Sequence, residues 1–181
     1  MKRLLVMAVV LAMGAAVCYA EEMVENPAYK LWAAFKVGAM AKSEMNTTAG
    51  DMKTQMEQTQ TLKALTPEKA VVEMKMTMTM SGNKTEMPAQ SMDIPAKIEK
   101  AKIAAKPDAE VKEGAEEIEV AGKKMNCKWT ETKMKQGEMT ITSKVWTATE
   151  IPGSMAKMET KTEGQVKSET SLKVVEFKNG G

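Results

Sequence analysis

Residues 122–153, GKKMNCKWTETKMKQGEMTITSKVWTATEIPG, decide the fold class. They read as two long strands joined by a tight turn at Gln136-Gly137 and closed by Pro152-Gly153. In the first strand Met125, Cys127 and Trp129 share one parity, and Asn126, Lys128, Thr130 and Thr132 share the other. In the second, Met139, Ile141 and Val145 stand against Thr140, Thr142 and Lys144. A period of two with one apolar and one polar side marks a strand half buried in an antiparallel sheet. Trp146 breaks the pattern by falling on the Thr/Lys side, and is expected at an edge, corner or bulge that turns it inward. A hairpin this long needs other strands to cover it.

The preceding chain supplies them. Asn26 can cap a helix, Pro27 suits the first helical position, and Ala28, Leu31, Trp32 and Phe35 form one apolar stripe before Gly38. From Val37 the period becomes two. The clearest strand sets Val72, Met74, Met76, Met78 and Met80 against Glu73, Lys75, Thr77 and Thr79. Ser81-Gly82-Asn83 is a hairpin turn, and Pro88 marks its return strand as an edge or bulge. Residues 95–114 are rich in Lys, Ala and Glu and form an excursion: 96–106 a weak helix or mobile segment, 107–114 a loop. Two strands, 155–162 and 166–177, end the chain. The expected fold is therefore mainly β: an antiparallel meander of about nine strands, curled into a half-barrel or open barrel, with a short N-terminal helix.

The start of the chain gives an address. Lys2 and Arg3 precede an apolar run from Leu4 to Val17, and the small Ala20 precedes Glu21-Glu22. This is a signal-peptide pattern over residues 1–20, too short and wrongly flanked for a stable span, with cleavage expected after Ala20. Val17 sits beside Cys18, where lipidation sites favour a smaller residue, so ordinary cleavage is expected. The product is exported, periplasmic or extracellular, and forms a single domain over 21–181 with no transmembrane span. Beyond residue 20 there is no arginine, 24 Lys balance 24 acidic residues, and the chain has no histidine. A neutral, Arg-free surface does not suit nucleic acid. Cys127 remains as a lone cysteine, so no intramolecular disulfide forms; its place between Met125 and Trp129 predicts a buried, inert thiol.

Sixteen of 19 methionines fall after residue 20, against four leucines. Met can replace Leu in a core, line an adaptable cavity for an apolar ligand, or offer thioethers to Cu(I). Met74, Met76, Met78 and Met80, at i and i+2 on one strand face, are the candidate Cu(I) ligands. The candidate ligand cavity adds Met125, Cys127, Trp129, Trp32 and Phe35 to those four. Without histidine, Ser-His-Asp and Cys-His catalysis are excluded, and no glycine-rich phosphate loop precedes a helix. Glu116 and Glu117 are adjacent on a strand and point to opposite faces, so they cannot form a carboxylate pair. No enzymatic activity and no cofactor are expected.

NPAYKLWAAFKVGAMAKSEM, VAGKKMNCKW and KVWTATEIPG resemble an uncharacterised family of exported bacterial proteins. Its members pair a segment carrying Pro, Trp, Phe and Gly with a G-K-x-x-x-C-K segment and a segment that opens on Val-Trp and closes on Pro-Gly. Here these are Pro27, Trp32, Phe35 and Gly38, then Gly122, Cys127, Trp146, Pro152 and Gly153. The layout is also similar to the periplasmic lipoprotein-carrier fold, an antiparallel half-barrel wrapped around a helix. The resemblance implies a non-enzymatic binding module for an apolar or lipid-like ligand. Those carriers place a basic residue, often Arg, near the cavity mouth, and this chain departs from them there. A Cu(I)-binding protein and a ligand-free structural or interaction protein of the envelope are the alternatives.

Overall fold

The structure, a computed structural model, describes residues 22–80, 82–100, 109–164 and 167–181. The expected signal peptide with its cleavage site and Cys18, Ser81, residues 101–108 and Val166 lie outside the described residues. One short helix, α1 (Pro27–Ala33), follows strand β1 (Met23–Glu25). The strands after it are β2 (Met40–Ala49), β3 (Met52–Leu65), β4 (Lys69–Met80), β5 (Asn83–Glu86), β6 (Gln90–Pro95) and β7 (Lys97–Glu99). The second half holds β8 (Glu110–Val120), β9 (Lys123–Gln136), β10 (Met139–Thr147), β11 (Met155–Glu163) and β12 (Ser168–Lys178).

Ten strands form one antiparallel sheet in the order β5-β4-β3-β2-β12-β11-β10-β9-β8, with β6 also on β4. β1 and β7 make a separate two-stranded sheet. The mainly β, antiparallel, half-barrel expectation is met, and the sheet is open. Its break has a clear origin. The outer members of an up-and-down meander, β2 and β12, do pair, from Ser168 opposite Ala49 to Lys178 opposite Met40. The gap falls instead between the β4–β6 side and β8.

The expectation of an excursion over 95–114 is corrected at both ends. Lys97–Glu99 is a strand paired with β1, not helix, and Glu110–Gly114 belongs to β8, not to a loop. Charge hid it: Glu110, Lys112 and Glu113 read as loop residues, but β8 is the outermost strand, where charged side chains are tolerated and deter further pairing. Its pairing with β9 continues to Val120 opposite Lys123.

The core lies at one end of the sheet. Trp32, Ala39, Leu62, Ala70, Val72 and Ile94 form one cluster, with Tyr29, Phe35 and Leu65 against it. Ala41, Val120, Cys127, Trp146, Ala148, Ile151, Ala156 and Val174 form the other. In antiparallel order these positions are starts of β2, β4, β9 and β11 and ends of β3, β8, β10 and β12, all at the same end. Register shifts at Leu62/Ala64, Trp146/Thr147 and Val174/Glu176 occur there too, and bulges of this kind bend strands around a core. The opposite end carries exposed Met52, Met80, Val111 and Met139. No helix among the described residues is long and apolar enough to cross a membrane.

Helix α1 is fixed as its sequence predicts. The Asn26 side chain accepts from Ala28 N–H at 3.0 Å, and Pro27 occupies the first turn. Asn26 also donates through Nδ2 to Pro95 O at 2.8 Å and through its backbone N–H to Ala96 O at 2.9 Å. It is the buried polar residue among those described. Asn26→Ala is expected to lower the free energy of unfolding by about 1–2 kcal/mol, because cap and tether are lost together. Urea denaturation checks this, and a change within error would refute the tethering role.

Candidate functional site

Directly paired residues in a sheet share a face, so the register sorts every side chain. From β4 to β10, one face carries no charged residue at any position that the pairing assigns to it. Met78, Met56, Met45, Leu172, Met158 and Val145 lie opposite one another in turn across six adjacent strands. All six are half buried and belong to neither core cluster. At about 4.8 Å per strand, this apolar row is roughly 24 Å long.

Two residues along each strand, toward the open end, runs a row of hydroxyls. Thr54, Thr47, Thr170, Thr160, Ser143 and Thr132 are likewise mutually paired. Thr47 Oγ1 and Thr170 Oγ1 are 3.1 Å apart, and Ser143 Oγ and Thr160 Oγ1 3.0 Å. Toward the covered end, a groove of about 240 Å³ opens between α1, the Pro152-Gly153 loop and the sheet, lined by Trp32, Ser43, Gln58, Gln60, Leu172 and their neighbours. It falls below the roughly 300–1,000 Å³ of an enclosing ligand pocket, so a large ligand would extend onto the apolar row.

The opposite face is charged. Lys42 pairs with Glu57 at 3.2 Å, Lys173 with Glu44 at 3.4 Å and Lys161 with Glu169 at 3.2 Å. Such partly exposed pairs contribute little individually. Near the β8 edge this face also carries Trp129 and Trp146, directly opposite each other. Lys144 Nζ lies 4.4 Å from the Trp129 ring centre and 4.6 Å from that of Trp146, and Lys157 Nζ lies 4.7 Å from Trp146. Glu116 of β8 receives both Lys144 Nζ, at 3.0 Å, and the Trp146 indole N–H. Gly114 makes room for Trp129: a Cβ there would lie 2.5 Å from the ring. Together these contacts brace the edge strand.

The hydrogen bonds from Lys144 and Trp146 hold the Glu116 carboxyl below its ordinary value, with the Lys144 and Lys157 charges adding to them against a smaller opposing effect of burial. A carboxyl depressed in the folded state stabilises above its unfolded pKa, and this is lost as pH falls through the folded pKa. Acidification into that range is therefore expected to shift tryptophan emission, and Glu116→Gln to remove that shift while leaving the neutral-pH fold intact. An unchanged acid response in the variant would refute the brace.

The positions expected to form one cavity divide between the faces. Met74, Met76, Met78 and Met80 share the uncharged face, and Trp32 and Phe35 cover its buried end with Leu62 and Val72. Met125, Cys127 and Trp129 are on the charged side, because Trp129 is paired with Trp146 while Val145 is paired with Thr130. Trp146 is 4% exposed and stands at the register shift between Trp146 and Thr147, the kind of bulge that its place on the Thr/Lys side predicts. Met74 Sδ accepts from Gln58 Nε2 at 3.0 Å. Met45, Met56 and Met78 are directly paired in turn on three adjacent strands, while the four along β4 alternate down a single strand. Among the described residues no group of three or more His, Cys, Asp or Glu could hold a metal.

Cys127 is fully buried and free. Burial pushes its thiol up, and the Glu150 and Glu116 charges add to the shift. Reaction with a maleimide is expected to be slowed about a hundredfold or more relative to the unfolded chain, since the thiolate forms only on opening. Equal rates with and without denaturant would contradict this. No protein-family model, curated protein or solved structure matches the chain.

Proposed function

We propose that this protein is an exported, non-enzymatic binding module that takes an apolar, lipid-like molecule on the uncharged face of its sheet. The observation that carries the reading is the unbroken apolar row from Met78 to Val145, free of charge and outside both core clusters. A contiguous apolar strip at a protein surface is a feature of ligand grooves and interaction sites. Methionine suits a ligand of variable shape, being unbranched and polarizable. The groove beside Trp32 gives the row a walled end. Export follows from the pattern of residues 1–20.

The test is native mass spectrometry of the protein purified from its host's envelope fraction, with metal analysis of the same sample. A bound mass of several hundred daltons that leaves on organic extraction supports the reading. A bare polypeptide that gains no thermal stability from any lipid class removes its basis. A second reading, a Cu(I) site, is favoured by the in-register Met45, Met56 and Met78, whose flexible thioethers lie on neighbouring strands. Titration against a Cu(I) competitor decides it: binding that survives replacement of Met56 by Leu would end it.

A further inference from the structure

We infer that the ligand of the uncharged face is a neutral amphiphile, such as an acylglycerol or a long-chain alcohol or ester, and not a fatty-acid anion or a phospholipid. This rests on the apolar-ligand reading and adds the head group to it. Both sides of the apolar row are polar and uncharged from β4 to β10: hydroxyls toward the open end, and Ser43, Gln58 and Gln60 in the groove toward the covered end. The apolar row is bounded toward the covered end by the groove at Trp32 and toward the open end by the hydroxyl row. A tail lying on the methionines would bring its head to Thr47, Thr170, Thr160 and Ser143.

What those residues offer is uncharged. Each hydroxyl has one donor hydrogen and two acceptor lone pairs. The Thr47–Thr170 and Ser143–Thr160 pairs each consume one hydrogen between them, leaving one donor and several acceptors per pair. That set matches an ester carbonyl or an alcohol. A carboxylate or phosphate would need a cation, and from β4 to β10 this face has none. The charges on its β9 and β8 margin are Lys124, Lys128, Glu113, Glu117 and Glu119; Lys124 is ion-paired with Glu117 at 3.4 Å, Lys128 is paired with Thr147 on the covered side of the apolar row, and Glu113 lies at the row's end opposite Thr130. Glu113 repels an anion there. Covering an unpaired charge is strongly unfavourable, whereas a neutral hydroxyl or ester needs only the hydrogen bonds the row can make. Lysine is abundant in this chain, so its absence from six consecutive strands of one face selects against anionic heads.

The experiment uses delipidated protein in detergent-free buffer, with each lipid delivered from a cyclodextrin complex. Monoacylglycerol, the fatty-acid anion of the same chain length, phosphatidylglycerol and the apolar fluorophore diphenylhexatriene are compared by thermal shift and competition. Monoacylglycerol is expected to bind at least about tenfold more tightly than either anionic lipid, a difference of about 1.4 kcal/mol. Thr47→Val with Thr170→Val is expected to erase most of that preference while leaving diphenylhexatriene binding unchanged. Equal or tighter binding of an anionic lipid overturns the head-group inference and leaves the apolar reading standing. A preference untouched by the double variant overturns the role of the hydroxyl row. No binding of any probe, diphenylhexatriene included, overturns the apolar reading and this inference with it.

Discussion

Trp32→Ala is expected to lower the free energy of unfolding by about 3–5 kcal/mol, a large part of the roughly 5–15 kcal/mol that stabilises a typical domain. Trp32 is 4% exposed and is the buried residue of the seven-residue α1. A helix so short is not stable by itself, so its presence depends on this packing. The indole meets Ala39, Leu62, Ala70, Val72 and Ile94 and lies close to Gly153, where an added Cβ would be 3.3 Å from its ring. Removing it opens a cavity on which the helix, two strand ends and the loop after β10 all converge. The Gly153 N–H donates to Leu31 O at 3.3 Å, so that loop is also tied to α1. Urea denaturation of the variant gives the measurement, with Leu31→Ala as the control. Leu31 is on the same helix but 40% exposed, and its truncation should have less than about 1 kcal/mol of effect. If the two variants lose the same stability, the helix is not an anchor and the core must be sought in the sheet alone.

Much of this arrangement is legible in the sequence because turns set registers. The two residues Gly137-Glu138 between β9 and β10 place Trp129 opposite Trp146, and Gly50-Asp51 between β2 and β3 place Met45 opposite Met56. Parity alone cannot do this. It sorts residues within one strand, but says nothing of which side faces which in the next. Met125, Cys127 and Trp129 looked continuous with Val145 because both sides were apolar, yet the register puts them on opposite faces. The core spans that end of the sheet, so both faces carry apolar residues there. Asn26, Pro27 and Trp32 were legible as cap, first turn and buried stripe, since those signals are local. The pairing of β2 with β12 was not, because it joins residues more than a hundred positions apart and no local pattern encodes it. Nor was β8: its Glu and Lys residues carry a loop-like composition, and its strand character comes from the partner β9.

Met56→Lys is expected to weaken uptake of an apolar ligand about a hundredfold, a loss of roughly 2.7 kcal/mol, while the protein stays folded. Met56 stands in the apolar row between Met45 and Met78, half buried and outside both core clusters. In the free protein a lysine there can run its methylenes over the neighbouring methionines and keep its ammonium in water. Under a bound acyl chain it cannot, and an ammonium covered without a partner is strongly unfavourable. The defect should therefore appear in binding and not in the denaturation midpoint. Glu57→Gln, one residue on and facing the charged side, should bind as the parent does. Met56→Leu separates the two chemistries that methionine offers: it keeps the apolar row and removes a thioether, so lipid uptake should persist and any Cu(I) affinity should fall. Parent-like lipid binding by Met56→Lys would place the ligand elsewhere or nowhere. The variant tests the uncharged face directly because lysine is common at exposed strand positions elsewhere, as at Lys53, Lys75, Lys84 and Lys112. An added lysine is then an ordinary residue for this protein's solubility and an alien one for this face between β4 and β10.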